Sequence, residues 1–228
     1  MAVLPILSIG DPTLREVSRA VSAEELATPA MQGFIDDLVE TMHAAHGAGL
    51  AAPQVGRPVR ICAVHVQQNP RYPYKPDFPL TVFVNPTLTL LSDEAESVYE
   101  GCLSVPDLRG RVQRAMHVRV DAWDRHGAPL TIEARGLIAG TFQHEFDHLD
   151  GLLFVDRVTD PRTLCTWAAF DRFYREGSWP RPWPSTASTR AESRNRAWVW
   201  AGGYSPSFSM RRSSRITSPS SATEPVRS

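Results

Sequence analysis

The stretch LIAGTFQHEFDHLDG, residues 137–151, combines the pattern of one helix with residue types that bind metal ions. We predict a helix over 137–149 that ends at Gly151, because glycine readily adopts the left-handed conformation that follows a helix. His144 and His148 are four residues apart and therefore lie on one face, where both imidazoles can reach one ion. Glu145 is turned by about 100° from His144, so it can approach a metal-bound water without occupying a coordination position.

This H-E-x-x-H pattern is typical of metal-dependent hydrolases. The ion lowers the pKa of the bound water, and the neighbouring carboxylate accepts and returns the proton. The alternative is a surface helix that carries two histidines and two acids by chance.

Outside this stretch, helical patterns flank a block of strand patterns. We predict a short helix near 12–18, a core-facing helix from Thr28-Pro29 to Gly47, strands over 57–66, 80–91, 112–123 and 130–134, and a last helix over 161–176. Strands in a block with helices on either side indicate an α+β fold. The prediction is antiparallel sheets packed around a central helix carrying H-E-x-x-H, with an N-terminal helix and a C-terminal helix.

The chain divides by composition at residue 177. We predict one catalytic domain over 1–177 and a disordered tail over 178–228, which is rich in Ser, Pro and Arg and lacks a sustained period. The tail holds eight Arg and two Glu, although the formal net charge of the whole chain is only −1. We favour a dispensable tail over an Arg-rich arm that touches ribosomal RNA, and we expect no specific DNA binding.

The cellular compartment is also predicted from sequence. The N-terminus lacks the pattern of a signal peptide, and no apolar run approaches the roughly 18–20 residues that span a bilayer. The three cysteines, Cys62, Cys102 and Cys165, have no paired spacing, which favours a reducing compartment over a disulfide scaffold. We predict a cytoplasmic protein that does not associate with membranes.

A catalytic metal site needs a third protein ligand beside the two histidines. One protease group has a third His where this chain has Phe154, which cannot bind a metal, and another uses a downstream acid, for which Asp171 and Glu176 are the candidates. Cys102, in the segment EGCLSVP over 100–106, is the best upstream candidate because a thiolate with two imidazoles suits zinc or iron(II). The alternative for Cys102 is a small buried apolar residue.

A third segment, GAGLAAPQ over 47–54, is rich in small residues. It lacks the G-K-[ST] ending of a phosphate-binding loop, so nucleotide binding is not predicted. Small residues allow another backbone, such as an extended peptide, to approach closely. Gln54 can offer an amide N–H to a developing oxyanion.

GAGLAAPQ, EGCLS and QHEFDHL, in this order, resemble the three signature motifs of the peptide deformylase family over roughly residues 1–176. The resemblance implies hydrolysis of the formyl group from the N-terminal formyl-methionine of newly made polypeptides, with release of formate. The partners would be formyl-methionyl nascent chains and, as a further candidate, the ribosome. A metal-bound hydroxide would attack, with Glu145 as the general acid-base.

The same resemblance implies a role for each site residue. The metal, usually iron(II) in this family with zinc, nickel or cobalt as alternatives, would be held by Cys102, His144 and His148. Gln54 and the backbone N–H of Leu103 would stabilise the oxyanion, and Glu100 with Arg114 would form a supporting ion pair. The substrate-binding residues would be Gly49, Arg109, Val98 and Leu137, with Gly140 and Thr141 also beside the methionine pocket.

Two rival functions share part of this pattern. A metalloendopeptidase would use the same H-E-x-x-H chemistry on internal peptide bonds, but Phe154 counts against it. A metal-stabilised docking module without enzymatic activity would have no need of Glu145 and Gln54. We therefore predict a metal-dependent hydrolase that acts on a linear amide.

Overall fold

A computed structural model describes residues 2–69 and 75–175 and the backbone of one strand at 209–211. It contains four α-helices, α1 Ala23–Leu26, α2 Pro29–Ala44, α3 Gly136–Leu149 and α4 Trp167–Phe173. Its eight strands are β1 Gly49–Ala51, β2 Ile61–Val66, β3 Phe78–Leu90, β4 Ala95–Cys102, β5 Val105–Ala115, β6 His117–Trp123, β7 Pro129–Arg135 and β8 Ser209–Arg211. Short 3-10 turns lie at Pro12–Arg15, Ala52–Val55, Phe154–Arg157 and Pro161–Thr163.

The strands form two antiparallel sheets. The larger sheet has the order β1-β2-β3-β6-β7-β8, and the smaller one is the β4–β5 hairpin. The predicted α+β class with antiparallel sheets is therefore confirmed. No helix in the described part of the chain has the length and apolar character needed to cross a bilayer.

The larger sheet is buried on both faces, because successive side chains of a strand point to opposite sides. Cys62 and Val64 of β2 pack in the core cluster that contains α3, whereas Ile61 and Ala63 pack in the cluster that contains α2. The sheet thus separates the two long helices.

The helix α2 begins as its sequence predicts. The Thr28 hydroxyl accepts a hydrogen bond from the Met31 N–H, at 3.2 Å, and Pro29 occupies the first helical position. Its buried face, which includes Ile35 and Leu38, covers one side of the sheet.

The helix α3 is central, as predicted. Ten of its residues are buried, on several sides of the helix. The Phe142 ring meets the rings of Phe78 and Phe83 edge to face, with centroids 5.2 and 5.1 Å apart. This packing fixes how α3 is rotated against the sheet and hence where its polar side chains point.

Several predicted elements differ in detail. The predicted strand 112–123 is two strands, since β5 ends at Ala115 and β6 begins at His117. The helix predicted near 12–18 is only a 3-10 turn, and the helix predicted over 161–176 begins at Trp167. The strand β4 was not predicted, because AESVYEGC contains few strongly strand-forming residues and is stabilised by pairing with β5.

The predicted division at residue 177 remains a prediction, because most of 178–228 lies outside the described residues. The described part of that segment is β8, which pairs with β7 through the registers Thr131–Arg211, Ile132–Met210 and Glu133–Ser209. At these three positions the backbone is a strand, where the sequence predicts disorder.

The end of α3 yields a stability prediction. Gly151 has a φ of +74°, and a Cβ there would lie 2.6 Å from the carbonyl oxygen of Arg15. We expect Gly151→Ala to lower the free energy of unfolding by about 2 kcal/mol or more, measured by denaturant titration. Gly33→Ala is the matched control, because Gly33 lies in α2 with open space around its Cβ position. It should raise the free energy of unfolding by about 0.5–1 kcal/mol, and equal losses in both variants would contradict the explanation.

Candidate metal centre

The structure brings one cysteine and two histidines together between the β4–β5 hairpin and α3. The Cys102 sulfur and the ring nitrogens of His144 and His148 all lie within 4.8 Å of one another. The Cys102 Sγ is 3.3 Å from His148 Nε2. Within the described residues, this is the only group of three or more His, Cys, Asp or Glu side chains arranged closely enough to hold a metal ion.

The burial and charge of these groups favour the thiolate form of the cysteine. Burial by itself raises the pKa of the Cys102 thiol, but the charges and hydrogen bonds of His148 and His144 outweigh it and hold the pKa well below its usual range. Burial lowers the pKa of His144, but its hydrogen bonds to Cys102 and Glu100 outweigh this effect and hold the pKa well above its usual range. A sulfur held as thiolate beside two imidazoles is a donor set that fits zinc or iron(II).

A chain of charged side chains supports His144. The Glu100 carboxylate lies 2.9 Å from His144 Nδ1, which leaves Nε2 as the ring nitrogen available to an ion. Arg114 donates two hydrogen bonds to Glu100, at 2.7 and 2.9 Å, and a third to Asp147, at 2.7 Å. Arg157 donates to the other oxygen of Asp147 at 2.7 Å. Burial raises the pKa of Glu100, but Arg114 more than offsets this and holds the pKa well below its usual range.

The pair of Glu100 and Arg114 was anticipated, but its continuation through Asp147 and Arg157 was not. Asp147 lies within the H-E-x-x-H motif and is only 7% exposed. An acidic side chain on the buried side of a helix requires a cationic partner, so this position was a signal that the sequence reasoning missed.

Glu145 is buried beside the triad formed by Cys102, His144 and His148. Its side chain is almost fully buried, and Oε2 has no hydrogen-bond partner among the described residues. Burial raises the pKa of this carboxyl. A Cβ on Gly49 would overlap the Glu145 carboxylate, so the glycine allows β1 to lie directly against α3.

Gln54 is held in one orientation beside the sulfur. Its Oε1 accepts the N–H of Ala51 at 2.8 Å, so its NH₂ group must point the other way. That group donates to Ser104 Oγ at 3.1 Å and lies 3.5 Å from Cys102 Sγ. Leu103 and Ser104 form the two-residue connection between β4 and β5, and the Ser104 N–H points to the sulfur at 3.3 Å.

The residues predicted for the methionine pocket lie on β4 and on the first turns of α3. Val98 of β4 is buried, and Leu137 and Thr141 lie on the first turns of α3. The Nζ of Lys75 donates to Thr141 Oγ1 at 2.9 Å, and burial lowers the pKa of Lys75 to about 8. This ammonium is a polar neighbour of the pocket region that the sequence reasoning did not identify.

Two other residues singled out by the sequence pack against aromatic or apolar neighbours. Arg109 is 1% exposed, and its guanidinium lies over the rings of Trp167 and Phe170, at 4.3 and 3.9 Å from their centroids. The substrate-binding role expected for Arg109 stays a prediction, and protein side chains cover the residue in this structure. Phe154 packs in a core cluster with Cys102, and its ring lies parallel to that of His144, so this position supports the site without ligating.

Such a site, with a buried cysteine, two imidazoles and an adjacent carboxylate, is typical of a metal-dependent hydrolase. Residues 3–163 match the family model described as polypeptide deformylase, and the chain belongs to that family. Peptide deformylase 2 of Ralstonia nicotianae is 44% identical over 158 residues, which cover 69% of this chain and 88% of the relative. Peptide deformylase 1 of Bordetella pertussis is 45% identical over 155 residues, with coverages of 68% and 87%.

Solved structures agree with this family membership. A class I type b peptide deformylase from Acinetobacter baumannii, with Met-Ala-Ser bound, superposes with a TM-score of 0.66 at 40% identity and covers 69% of this chain and 99% of its own. A peptide deformylase from Synechococcus elongatus in complex with actinonin has a TM-score of 0.64 at 33% identity, with coverages of 75% and 86%.

The family assignment decides between the functions considered above. Polypeptide deformylases are metal-dependent hydrolases that remove the N-formyl group from nascent peptides, so this chain is an enzyme of N-terminal processing in protein biosynthesis. The predicted family, reaction and enzyme class are confirmed.

The charge beside His144 yields a prediction about metal affinity. Glu100→Gln keeps an acceptor for His144 Nδ1 but removes the negative charge that favours the ligating ring. We expect metal affinity, measured by chelator competition, to fall about tenfold or more. Glu133→Gln is the control, because Glu133 is half exposed and contacts His117 on the sheet instead. An unchanged affinity in Glu100→Gln would show that this charge does not tune the ligand.

Proposed function

We propose that Cys102, His144 and His148 hold the divalent metal of this deformylase and that Glu145 transfers the proton. The convergence of one sulfur and two ring nitrogens within 4.8 Å carries this proposal. When bound, a divalent ion would act as a Lewis acid that polarises the formyl carbonyl and activates the attacking water. We propose iron(II) as the native metal, with zinc, nickel or cobalt as alternatives that the same donor set accommodates.

Glu145 is suited to move a proton twice in one turnover. Because burial raises its pKa, the carboxyl holds a proton more readily near neutral pH than an exposed glutamate does. It would accept a proton from water as the new C–O bond forms, and it would return that proton to the amine nitrogen as the C–N bond breaks. The products are formate and a free amino terminus, which balances the addition of one water.

The oxyanion would be stabilised by donors from two different segments. The Gln54 NH₂ group is held next to the sulfur by the contacts of its carbonyl oxygen with Ala51. The backbone N–H of Leu103 directly follows the ligand Cys102 in the chain. Donors that are fixed before the reaction stabilise developing charge without reorganisation, and losing one costs about 10²–10³ in rate.

The substrate would bind as an additional strand. The strand β1, which carries Gly49, is at one end of the larger sheet, so one of its edges has no neighbouring strand among the described residues. An extended peptide can add to such an edge through main-chain hydrogen bonds. The methionine side chain would then lie near Val98, Leu137 and Thr141. The binding of Met-Ala-Ser by the Acinetobacter baumannii relative supports a peptide that begins with methionine.

We further propose that the enzyme acts in the cytoplasm on nascent chains. The ribosome is a further candidate partner through the Arg-rich segment 178–228, and a dispensable tail is the favoured alternative. Co-sedimentation with ribosomes, compared between the full chain and a chain ending at residue 177, tests that contact.

Replacing Glu145 separates proton transfer from metal binding. We expect Glu145→Gln to lower formate release from formyl-Met-Ala by about 10²–10⁴ while metal content is retained. Wild-type protein should not release product from unformylated Met-Ala, which is the substrate control. Near-normal turnover by Glu145→Gln would exclude Glu145 as the acid-base residue.

The same variant should change the pH dependence of stability. The raised pKa means that the ionised carboxylate disfavours the folded, metal-free protein at pH values above the pKa of the unfolded chain. Glutamine cannot ionise, so the stability gained by Glu145→Gln should increase as the pH rises from about 4 to about 7. Thermal unfolding of metal-free proteins across this range measures the difference.

Removing the sulfur tests the proposed ligand set. Cys102→Ala should lose both stoichiometric metal and activity, because two imidazoles alone leave the site without its charged ligand. Cys62→Ala is the matched control, since Cys62 is also fully buried but lies in β2 outside the triad. Metal analysis after anaerobic purification measures the content and identity of the ion, and full metal content in Cys102→Ala would identify a different third ligand.

A further inference from the structure

The β4–β5 hairpin is irregular at the point where it delivers Cys102 to the site. Gly101 pairs with Arg109 across the hairpin, but the next residue, Cys102, pairs with Val105. Residues 106–108 are therefore left out of the ladder and form a bulge. Bulges beside active sites commonly redirect a side chain, and here the change of register directly precedes the sulfur.

The backbone of this bulge is strained at one position. Asp107 has a φ of +52°, in the left-handed region that few side chains adopt and that Asp and Asn tolerate best. Its Oδ1 accepts a hydrogen bond from the N–H of Trp167, the first residue of α4, at 3.2 Å. The conformation of the bulge is thus linked to a segment more than fifty residues further along the chain.

The Trp167 side chain also contacts the hairpin directly. A Cβ on Gly101 would lie 3.1 Å from Trp167 Cζ2, so the indole is packed against the backbone that precedes the sulfur. The same indole covers the Arg109 guanidinium at 4.3 Å. Arg109 and Cys165 exchange two backbone hydrogen bonds, of 2.8 and 2.9 Å, which hold the chain leading into α4 beside β5.

From these contacts we propose that the start of α4 fixes the bulge in the β4–β5 hairpin, and that Trp167 and Asp107 are positioning residues for the Cys102 thiolate. The helix lies beyond residue 163, where the match to the family model ends. This arrangement also explains why Arg109 is buried, since the Trp167 and Phe170 rings of α4 cover its side chain.

Cobalt(II) binding tests the proposal on the full chain. Cobalt(II) bound by a thiolate gives a charge-transfer band, and chelator competition gives its affinity. Residues that orient a ligand typically change metal affinity by 10–100-fold when mutated. We expect Trp167→Ala to bind cobalt(II) roughly tenfold more weakly and with a weaker thiolate band. Phe173→Ala, on the same helix but largely exposed, should match the wild type.

A second pair of variants, at Asp107, tests the same proposal if Trp167→Ala folds poorly. Asp107→Asn retains an oxygen acceptor for the Trp167 N–H and tolerates a positive φ, so it should retain wild-type cobalt(II) affinity. Asp107→Ala loses the acceptor and should bind cobalt(II) more weakly. Equal affinities of the Asn and Ala variants would overturn the proposal.

Other outcomes are equally informative. If Trp167→Ala lowers the melting temperature or raises KM but keeps the cobalt(II) affinity and band of the wild type, α4 does not position the thiolate. The inference rests on the proposed ligand role of Cys102, and the wild type tests that role separately. A wild type without a thiolate band would refute the proposed metal centre, whereas a normal wild type with an unaffected Trp167→Ala would refute only the role of α4.

Discussion

The meeting of the β4–β5 hairpin with α3 is the contact on which the rest of the structure depends. One sulfur on the hairpin must lie beside two imidazoles on the helix, and the buried ion pairs join the same two elements. Glu100 of the hairpin contacts His144 of α3, and Arg114 of the hairpin contacts Asp147 of α3. Because breaking a buried, paired charge costs about 3–5 kcal/mol, these contacts favour one alignment of hairpin and helix.

The larger sheet gives α3 its orientation. Both faces of the sheet are buried, and the side of α3 that carries Phe142 packs against it, so His144, Asp147 and His148 are directed to the hairpin. The N-terminal segment holds two parts of the site together. Leu7 and Ile9 donate backbone hydrogen bonds to the carbonyl oxygens of Gln54 and Ser104, respectively. The groups of the proposed site are thereby held in place by packed, hydrogen-bonded segments.

The proposed active site retains groups that do not favour stability. Glu145 is buried with one unpartnered oxygen, and its raised pKa reflects that burial. A carboxyl in such surroundings is destabilising when ionised but is suited to exchanging protons near neutral pH. Gly49 is needed for the same placement of Glu145, because any side chain at position 49 would displace the Glu145 carboxylate.

Sequence alone determined the features that depend on local spacing. The i, i+4 histidines, the stop at Gly151 and the cap at Thr28 predicted α2 and α3, and three short motifs identified the family. Features that depend on contacts between distant segments were decided only by the tertiary structure. These include β4, the continuation of the ion pairs to Asp147, and the burial of Arg109 under α4. The physical reason is that helix signals repeat every few residues along the chain, whereas strand pairing, buried charge and the placement of α4 depend on partners tens of residues away.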